Sequence, residues 1–274
     1  MFMTPKNNLV TIDKDQNLKD ALTLMKKNRL SKLMVTEDGE IIGILTDGDI
    51  EERLGTGRER KLKTSQIHVS SAMTKDLKYW DAEPGDFYMS GDMQRDLRYE
   101  KIREMAESML ENNISSLPLR EEGKVIGLVS ETDLVETLRG SRKLVEEVYT
   151  RGCLTVNPND TLVHARKIMH ENNIGRLVVE NRGYIAGIVT DKDVAEGLNI
   201  FRRALDSLHH PDIKALRIGD VMTPDPLLID HEDTIGQAVE MMLENKISGL
   251  PVTGEHPGII TKKDLIKGIA YNLM

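Results

Sequence analysis

The sequence predicts an α/β (α+β) repeat protein built from four copies of one helix–strand–strand–helix unit, and three observations predict it. A glycine-led segment recurs as GILTDGDI (Gly43 to Ile50), GLVSETDL (Gly127 to Leu134), GIVTDKDV (Gly187 to Val194) and GIITKKDL (Gly258 to Leu265). A helical pattern of apolar residues precedes every copy, and a short aliphatic run lies between the two. The glycines are 84, 60 and 71 residues apart, so the repeating unit has about 60–70 residues with extra material in the first interval.

The first element is an amphipathic helix. Leu18, Ala21, Leu22 and Met25 recur at three- and four-residue spacing, as do Ile102, Met105, Ala106 and Met109. Leu162, Ala165, Ile168 and Met169 repeat the pattern, followed by Ile235, Ala238, Val239 and Met242. Such spacing puts one apolar stripe against a core. Each helix runs into an asparagine: Asn28, Asn112, Asn172 or Asn245. The second element is a short strand beginning at Leu33, Leu117, Leu177 or Leu250. Turn residues follow, as in EDGE and EEGK, then the glycine-led strand, whose Thr/Ser-x-x-Asp ending opens the second helix. Repeat four has a shortened hairpin, GEHPGII.

Boundaries at 1–66, 67–142, 143–206 and 207–274 contain the four repeats. Repeat two carries an insertion near 79–100. Its Pro84-to-Asn112 distance is 28, against 14 for Lys14 to Asn28, Pro158 to Asn172 and His231 to Asn245. The inserted stretch fits either a surface loop or an extended helix.

Composition narrows the function. The net charge is −8, with alternating signs and only 4% aromatic residues, so neither a basic stripe nor a stacking platform for nucleic acid is expected. No run approaches the ~20 apolar residues of a membrane span, and MFMTPKNN lacks the apolar stretch of a secretory signal. Cys153 is the single cysteine, which precludes an internal disulfide. A cytoplasmic protein without membrane attachment is expected. The seven histidines form no metal-binding pattern, and His209-His210 falls in an expected linker. Gly55-Thr56-Gly57-Arg58 lacks a dinucleotide fingerprint, and there is no Walker loop or Gly-x-Ser-x-Gly.

Thr46 with Asp49, Ser130 with Asp133, Thr190 with Asp193 and Thr261 with Asp264 have the spacing of a helix capping box. That is the structural reading of the motif. Capping more often uses Glu or Gln at the third position, whereas all four copies have Asp. An ionised carboxylate is an acceptor for ribose hydroxyls, and a hydroxyl at a helix start is placed where anions are favoured. Both uses can coexist in one residue.

These repeats resemble the CBS domain, whose copies pair into Bateman modules. The Met-Thr lead-ins at Met3-Thr4, Met73-Thr74 and Met222-Thr223, and the Leu-Pro-aliphatic strands of repeats two and four, agree with that family. Repeat three departs, with Tyr149-Thr150 and LVV. The resemblance spans nearly the whole chain and extends to four-copy relatives, the γ subunit of AMP-activated protein kinase and archaeal proteins. It implies two modules, roughly 1–142 and 143–274, closing into a disc with up to four nucleotide sites, partly occupied because the cation pattern is uneven. By the same resemblance Asp49, Asp133, Asp193 and Asp264 hold ribose, and Thr46, Ser130, Thr190 and Thr261 face phosphate. Basic residues between the first helix and its strand would reach the phosphates: Arg29, Lys32, Arg176 and Lys246. Repeat two has Asn113 and Ser116 at these places. Val156 and Ile229 are candidates for an adenine pocket, and core packing is the alternative for each.

The implied function is that of a regulatory sensor of AMP, ADP or ATP, monomeric or homodimeric, that passes ligand state to a partner protein. Two rivals stand beside it: binding of S-adenosylmethionine or a related nucleoside, and a scaffolding subunit with vestigial sites. No catalytic residue, metal or catalytic cofactor is expected, because the repeats consume the chain and show no nucleophile–base pair.

Overall fold

The computed structural model describes residues 3–55, 62–83, 93–204 and 215–273. Strand β1 (Thr4–Pro5) leads into repeat one: β2 (Thr11–Asp13), α1 (Leu18–Asn28), β3 (Lys32–Glu37), β4 (Glu40–Thr46) and α2 (Asp47–Gly55). Repeat two comprises β5 (Trp80–Asp81), α3 (Met93–Glu111), β6 (Ser116–Glu121), β7 (Lys124–Ser130) and α4 (Glu131–Val135). Strand β8 (Thr150–Arg151) leads into β9 (Thr155–Val156), α5 (Leu162–Asn172), β10 (Arg176–Asn181), β11 (Tyr184–Thr190) and α6 (Asp191–Ala204). Strand β12 (Thr223–Pro224) leads into β13 (Ile229–Asp230), α7 (Ile235–Glu244), β14 (Gly249–Thr253), β15 (Gly258–Thr261) and α8 (Lys262–Ala270). The expected helix–strand–strand–helix unit is present four times, after a short parallel strand.

The four repeated asparagines have one job. Asn28, Asn112, Asn172 and Asn245 each donate a side-chain amide hydrogen to the carbonyl four residues back, at 2.8–2.9 Å. They satisfy carbonyls that the helix end leaves without partners. The following residue then turns the chain through the left-handed region: Arg29, Asn113, Asn173 and Lys246 have φ of 50–54°. In repeats one to three the hairpin turns are Asp38-Gly39, Glu122-Gly123 and Arg182-Gly183, with positive φ at both residues. That geometry matches the strand twist and favours glycine at the second place.

The glycine that leads each motif is explained by close approach. A Cβ at Gly43, Gly127 or Gly187 would lie 2.7–2.8 Å from the carbonyl oxygen of Thr74, Thr4 or Thr223, and one at Gly258 would strike that of Thr150. These threonines belong to the lead-ins. β1 pairs with β7, Thr74 bridges Ile44, β8 pairs with β15 and β12 with β11. Thus each lead-in completes the sheet of its chain neighbour, one with two and three with four. The Met-Thr signature and the glycine are two sides of one contact.

The chain forms two compact units. One, termed here the even unit, holds repeats two and four: Met1–Leu9, Lys78–Gly152 and Leu227–Met274. The odd unit holds repeats one and three: Val10–Leu77 and Cys153–Pro226. In the odd unit α2 packs on α6, and in the even unit α8 packs on α3 and α4. Each unit has its own core. Leu18, Met25, Leu33 and Leu45 with Leu162, Met169, Leu177 and Val189 line the odd one. Met105, Met109, Leu117 and Val129 with Met242, Leu250 and Ile260 line the even one. The methionine stripes read from the sequence are therefore core. No described helix is long and apolar enough to cross a membrane.

For the insertion in repeat two, residues 93–100 belong to an extended helix, while residues 80–81 form β5. α3 has 19 residues, against 11 in α1 and α5. Residues 84–92, His209, His210, Thr56, Gly57 and Arg58 lie outside the described residues.

Candidate functional site

The Thr/Ser-x-x-Asp motifs form the same structure four times. The Asp Oδ2 accepts the backbone N–H and the hydroxyl of its own Thr or Ser: 2.7 and 2.6 Å for Thr46–Asp49 and for Ser130–Asp133. The distances are 2.8 and 2.7 Å for Thr190–Asp193, and 2.9 and 2.6 Å for Thr261–Asp264. The Asp amide returns a bond to the hydroxyl in repeats one, three and four. The capping role is thus real in every copy.

It does not exhaust the carboxylate. Oδ2 receives two donors, which fills its lone-pair directions, while Oδ1 stays outside the cap. In repeat one Oδ1 of Asp49 accepts the hydroxyl of Thr74 at 3.3 Å, and in repeat four that of Asp264 accepts Thr150 at 3.2 Å. Both donors come from the lead-in of the neighbouring repeat. Oδ1 alone, rather than both carboxylate oxygens, is therefore the acceptor that capping leaves over. The hydroxyls of Thr46, Ser130, Thr190 and Thr261 direct their protons at their own Asp, so in this arrangement they offer a phosphate no donor. Burial pushes the Asp49 and Asp193 carboxyls up, and the bonds from Thr46 and Thr190 oppose it.

The candidate cations fall in two kinds of place. Arg29 and Lys246 occupy left-handed positions at φ 54°, where asparagine stands in repeats two and three. A long side chain there costs about 1 kcal/mol relative to glycine or asparagine, so helix termination alone does not select it. Lys32 and Arg176 begin β3 and β10 and lie in the field of buried or half-buried acids: Lys32 acts on Asp47 and Arg176 on Asp191. Repeat two, without a cation of its own, is reached by repeat four. Lys263 Nζ donates to Asn113 Oδ1 at 2.7 Å, and Lys262 Nζ donates to Thr132 Oγ1 at 2.8 Å. Lys262 is itself buried. These two lysines open α8, and their spacing within repeat four carries no sign of a contact with repeat two.

Val156 and Ile229 point into the cores, 5% and 2% exposed. They are buried where the short parallel strands pair, with Val156 beside Val179 and Ile229 beside Val252, so core packing is the role the structure gives both. Two residues earlier, Leu154 and Leu227 are 45% and 44% exposed. These leucines, rather than the buried pair, present apolar surface to solvent at the start of the repeats. Among the described residues, no group of His, Cys, Asp and Glu is arranged to hold a metal ion.

Comparison with known proteins places this geometry in context. The CBS domain profile matches residues 2–55, 98–140, 145–199 and 218–271. Protein MJ1225 of Methanocaldococcus jannaschii is 25% identical over 283 residues, covering 98% of each chain. A 33.4 kDa protein of the ribosomal RNA operon of Thermofilum pendens is 26% identical over 94% of this chain and 87% of its own length. The crystal structure of MJ1225, described as a candidate archaeal homologue of γ-AMPK, superposes with a TM-score of 0.77 over 97% of both chains at 22% identity. That likeness establishes the fold.

Proposed function

Because the chain belongs to the CBS-domain family of regulatory proteins, we propose that it binds adenosine-containing nucleotides at its Thr/Ser-x-x-Asp motifs and passes ligand state to a partner protein. The observation that carries the reading is the divided carboxylate. In all four repeats Oδ2 closes the helix cap and Oδ1 lies outside it. A residue kept only for capping needs no second acceptor, whereas a ribose hydroxyl does.

The Asp, the residue before each strand and the exposed Leu154 or Leu227 would read ribose, phosphate and adenine respectively. A ligand bound there also touches the lead-in contact, since Thr74 and Thr150 share Oδ1 of Asp49 and Asp264. Competition for that oxygen gives the ligand a handle on how the lead-in is held. It shifts the balance of conformations only by its differential affinity for them. AMP, ADP and ATP differ in charge, so cations such as Lys246, Lys262 and Lys263 are the means of telling them apart. The role is regulatory and not catalytic.

Calorimetric titration of the full chain with AMP, ADP and ATP tests the reading. Asp264→Asn keeps an acceptor for the cap and removes the charge. It is expected to weaken nucleotide binding about tenfold or more at that site, the order of a charge-assisted hydrogen bond. Unchanged affinity and stoichiometry would refute the assignment.

A further inference from the structure

The residue that opens the second helix, directly after the capping Thr or Ser, divides the two units by charge. It is Asp47 and Asp191 in the odd unit, and Glu131 and Lys262 in the even unit. In every repeat its amide donates to a carbonyl at the helix–strand junction: Ser31, Ser115, Gly175 or Ser248. The residue is thereby fixed beside the junction that carries the candidate phosphate cations. In repeat three the Asp191 carboxylate lies so close that a Cβ on Gly175 would come within 2.8 Å of Oδ2.

In the odd unit Asp191 Oδ2 lies against the start of α2, 3.7 Å from where a Cβ on Gly48 would sit, and its field acts on Asp47. Asp47 is 8% exposed, and no hydrogen bond from the described residues reaches its carboxylate. It is held by the fields of Lys192 and Lys32, against those of Asp191 and Asp193. Asp191 feels Glu51 against Arg176 and His170. Glu51, 3% exposed, pairs with Arg166 and, at 2.7 Å, with His170 Nε2. Lys32, Lys192, Arg166 and Arg176 thus already lie beside carboxylates. In the even unit Lys262 and Lys263 open α8 and reach into repeat two, Lys246 stands at the helix–strand junction of repeat four, and Glu131 is the one acid at a helix-opening position.

We infer that the odd unit selects against phosphate: repeats one and three take adenosine ligands that carry none, and repeats two and four take phosphorylated nucleotides. The inference rests on the proposed reading of Asp49, Asp133, Asp193 and Asp264 as ribose sites. A phosphate dianion entering the odd unit meets fixed carboxylates in a half-buried setting, where like charge is screened far less than in water. A neutral or cationic 5′ substituent meets no such opposition. In the even unit the same phosphate meets ammonium groups.

The test is calorimetric titration of the full chain at pH 8 with two probes, adenosine and AMP. Adenosine is expected at both kinds of site, and AMP at those of repeats two and four. AMP binding is then abolished by Asp133→Asn with Asp264→Asn and unaffected by Asp49→Asn with Asp193→Asn. Asp47→Asn with Asp191→Asn is expected to add AMP sites in the odd unit, raising affinity there about tenfold or more, one pKa unit of charge interaction being tenfold. Asp191→Asn alone, at a half-exposed position, serves if the double variant does not fold. Equal wild-type affinity of repeats one and three for AMP and adenosine, or no AMP site gained on Asp47→Asn with Asp191→Asn or on Asp191→Asn alone, overturns the selectivity and leaves the nucleotide reading intact. Binding of neither probe overturns both.

Discussion

Replacing Asp47 by Asn is expected to flatten the pH dependence of stability in the odd unit. Asp47 opens α2, is 8% exposed and has its carboxyl pushed up to about 7 from 3.8. Loss of hydration is the main cause, with Asp191 and Asp193 adding to it and Lys192 and Lys32 opposing it. The folded protein therefore holds this proton more tightly than the unfolded chain. Stability from the group is fully present below pH 4 and falls as pH rises through 7. Three pKa units at 1.36 kcal/mol each give a swing of roughly 4 kcal/mol. An asparagine of the same shape carries no charge at any pH. The variant and the wild type are expected to be similar at pH 4.5, while at pH 8 the variant is more stable by roughly 2–4 kcal/mol. Urea unfolding followed by circular dichroism at pH 4.5, 6 and 8 measures this. Asp191, raised to about 6 for the same first cause, leaves a shallower slope of the same sign in the variant. Parallel pH profiles, or a variant less stable at pH 8, would refute the reasoning.

Three further outcomes are expected. Arg29→Asn relieves a left-handed arginine at φ 54° and raises stability by about 1 kcal/mol, read by thermal melting. Gly187→Ala forces a Cβ to 2.8 Å from Thr223 O and Met222 Sδ, so it costs about 1–3 kcal/mol and detaches the β12 lead-in, seen as faster hydrogen exchange at Ile188. Asn172→Ala removes the 2.8 Å bond to the Ile168 carbonyl at the end of α5 and lowers stability by about 1 kcal/mol in urea titration.

The repeat was legible because its signals are local. Helix periodicity, the turn glycines and the Thr/Ser-x-x-Asp cap each depend on residues within a few positions of one another, and the structure forms them at the expected places. The candidate site was legible only in part, because it depends on contacts distant in sequence. The cap hides in plain spacing, but the use of Oδ2 for capping and Oδ1 for Thr74 or Thr150 is settled by strand pairing 25 and 114 residues away. Lys262 and Lys263 reach residues 130 and 150 positions distant, so repeat two looked devoid of cations. Val156 and Ile229 were placed on the right strands, yet a two-residue strand gives no alternation from which to read a face; Leu154 and Leu227 lie outward instead. The charge division between units was invisible because it compares residues in repeats one and three with their counterparts in two and four, a grouping that chain order does not announce.

Binding of adenosine ligands by Asp49, Asp133, Asp193 and Asp264 is open to thermal melting of the full chain with adenosine, AMP and ATP. A ligand at 100 times its dissociation constant is expected to add about 2.7 kcal/mol, visible as a raised melting temperature. The account predicts such a shift in the wild type and its loss when Asp49, Asp133, Asp193 and Asp264 are all changed to Asn. A wild-type protein whose melting temperature none of the three ligands moves would contradict it, as would a shift of equal size in the fourfold variant.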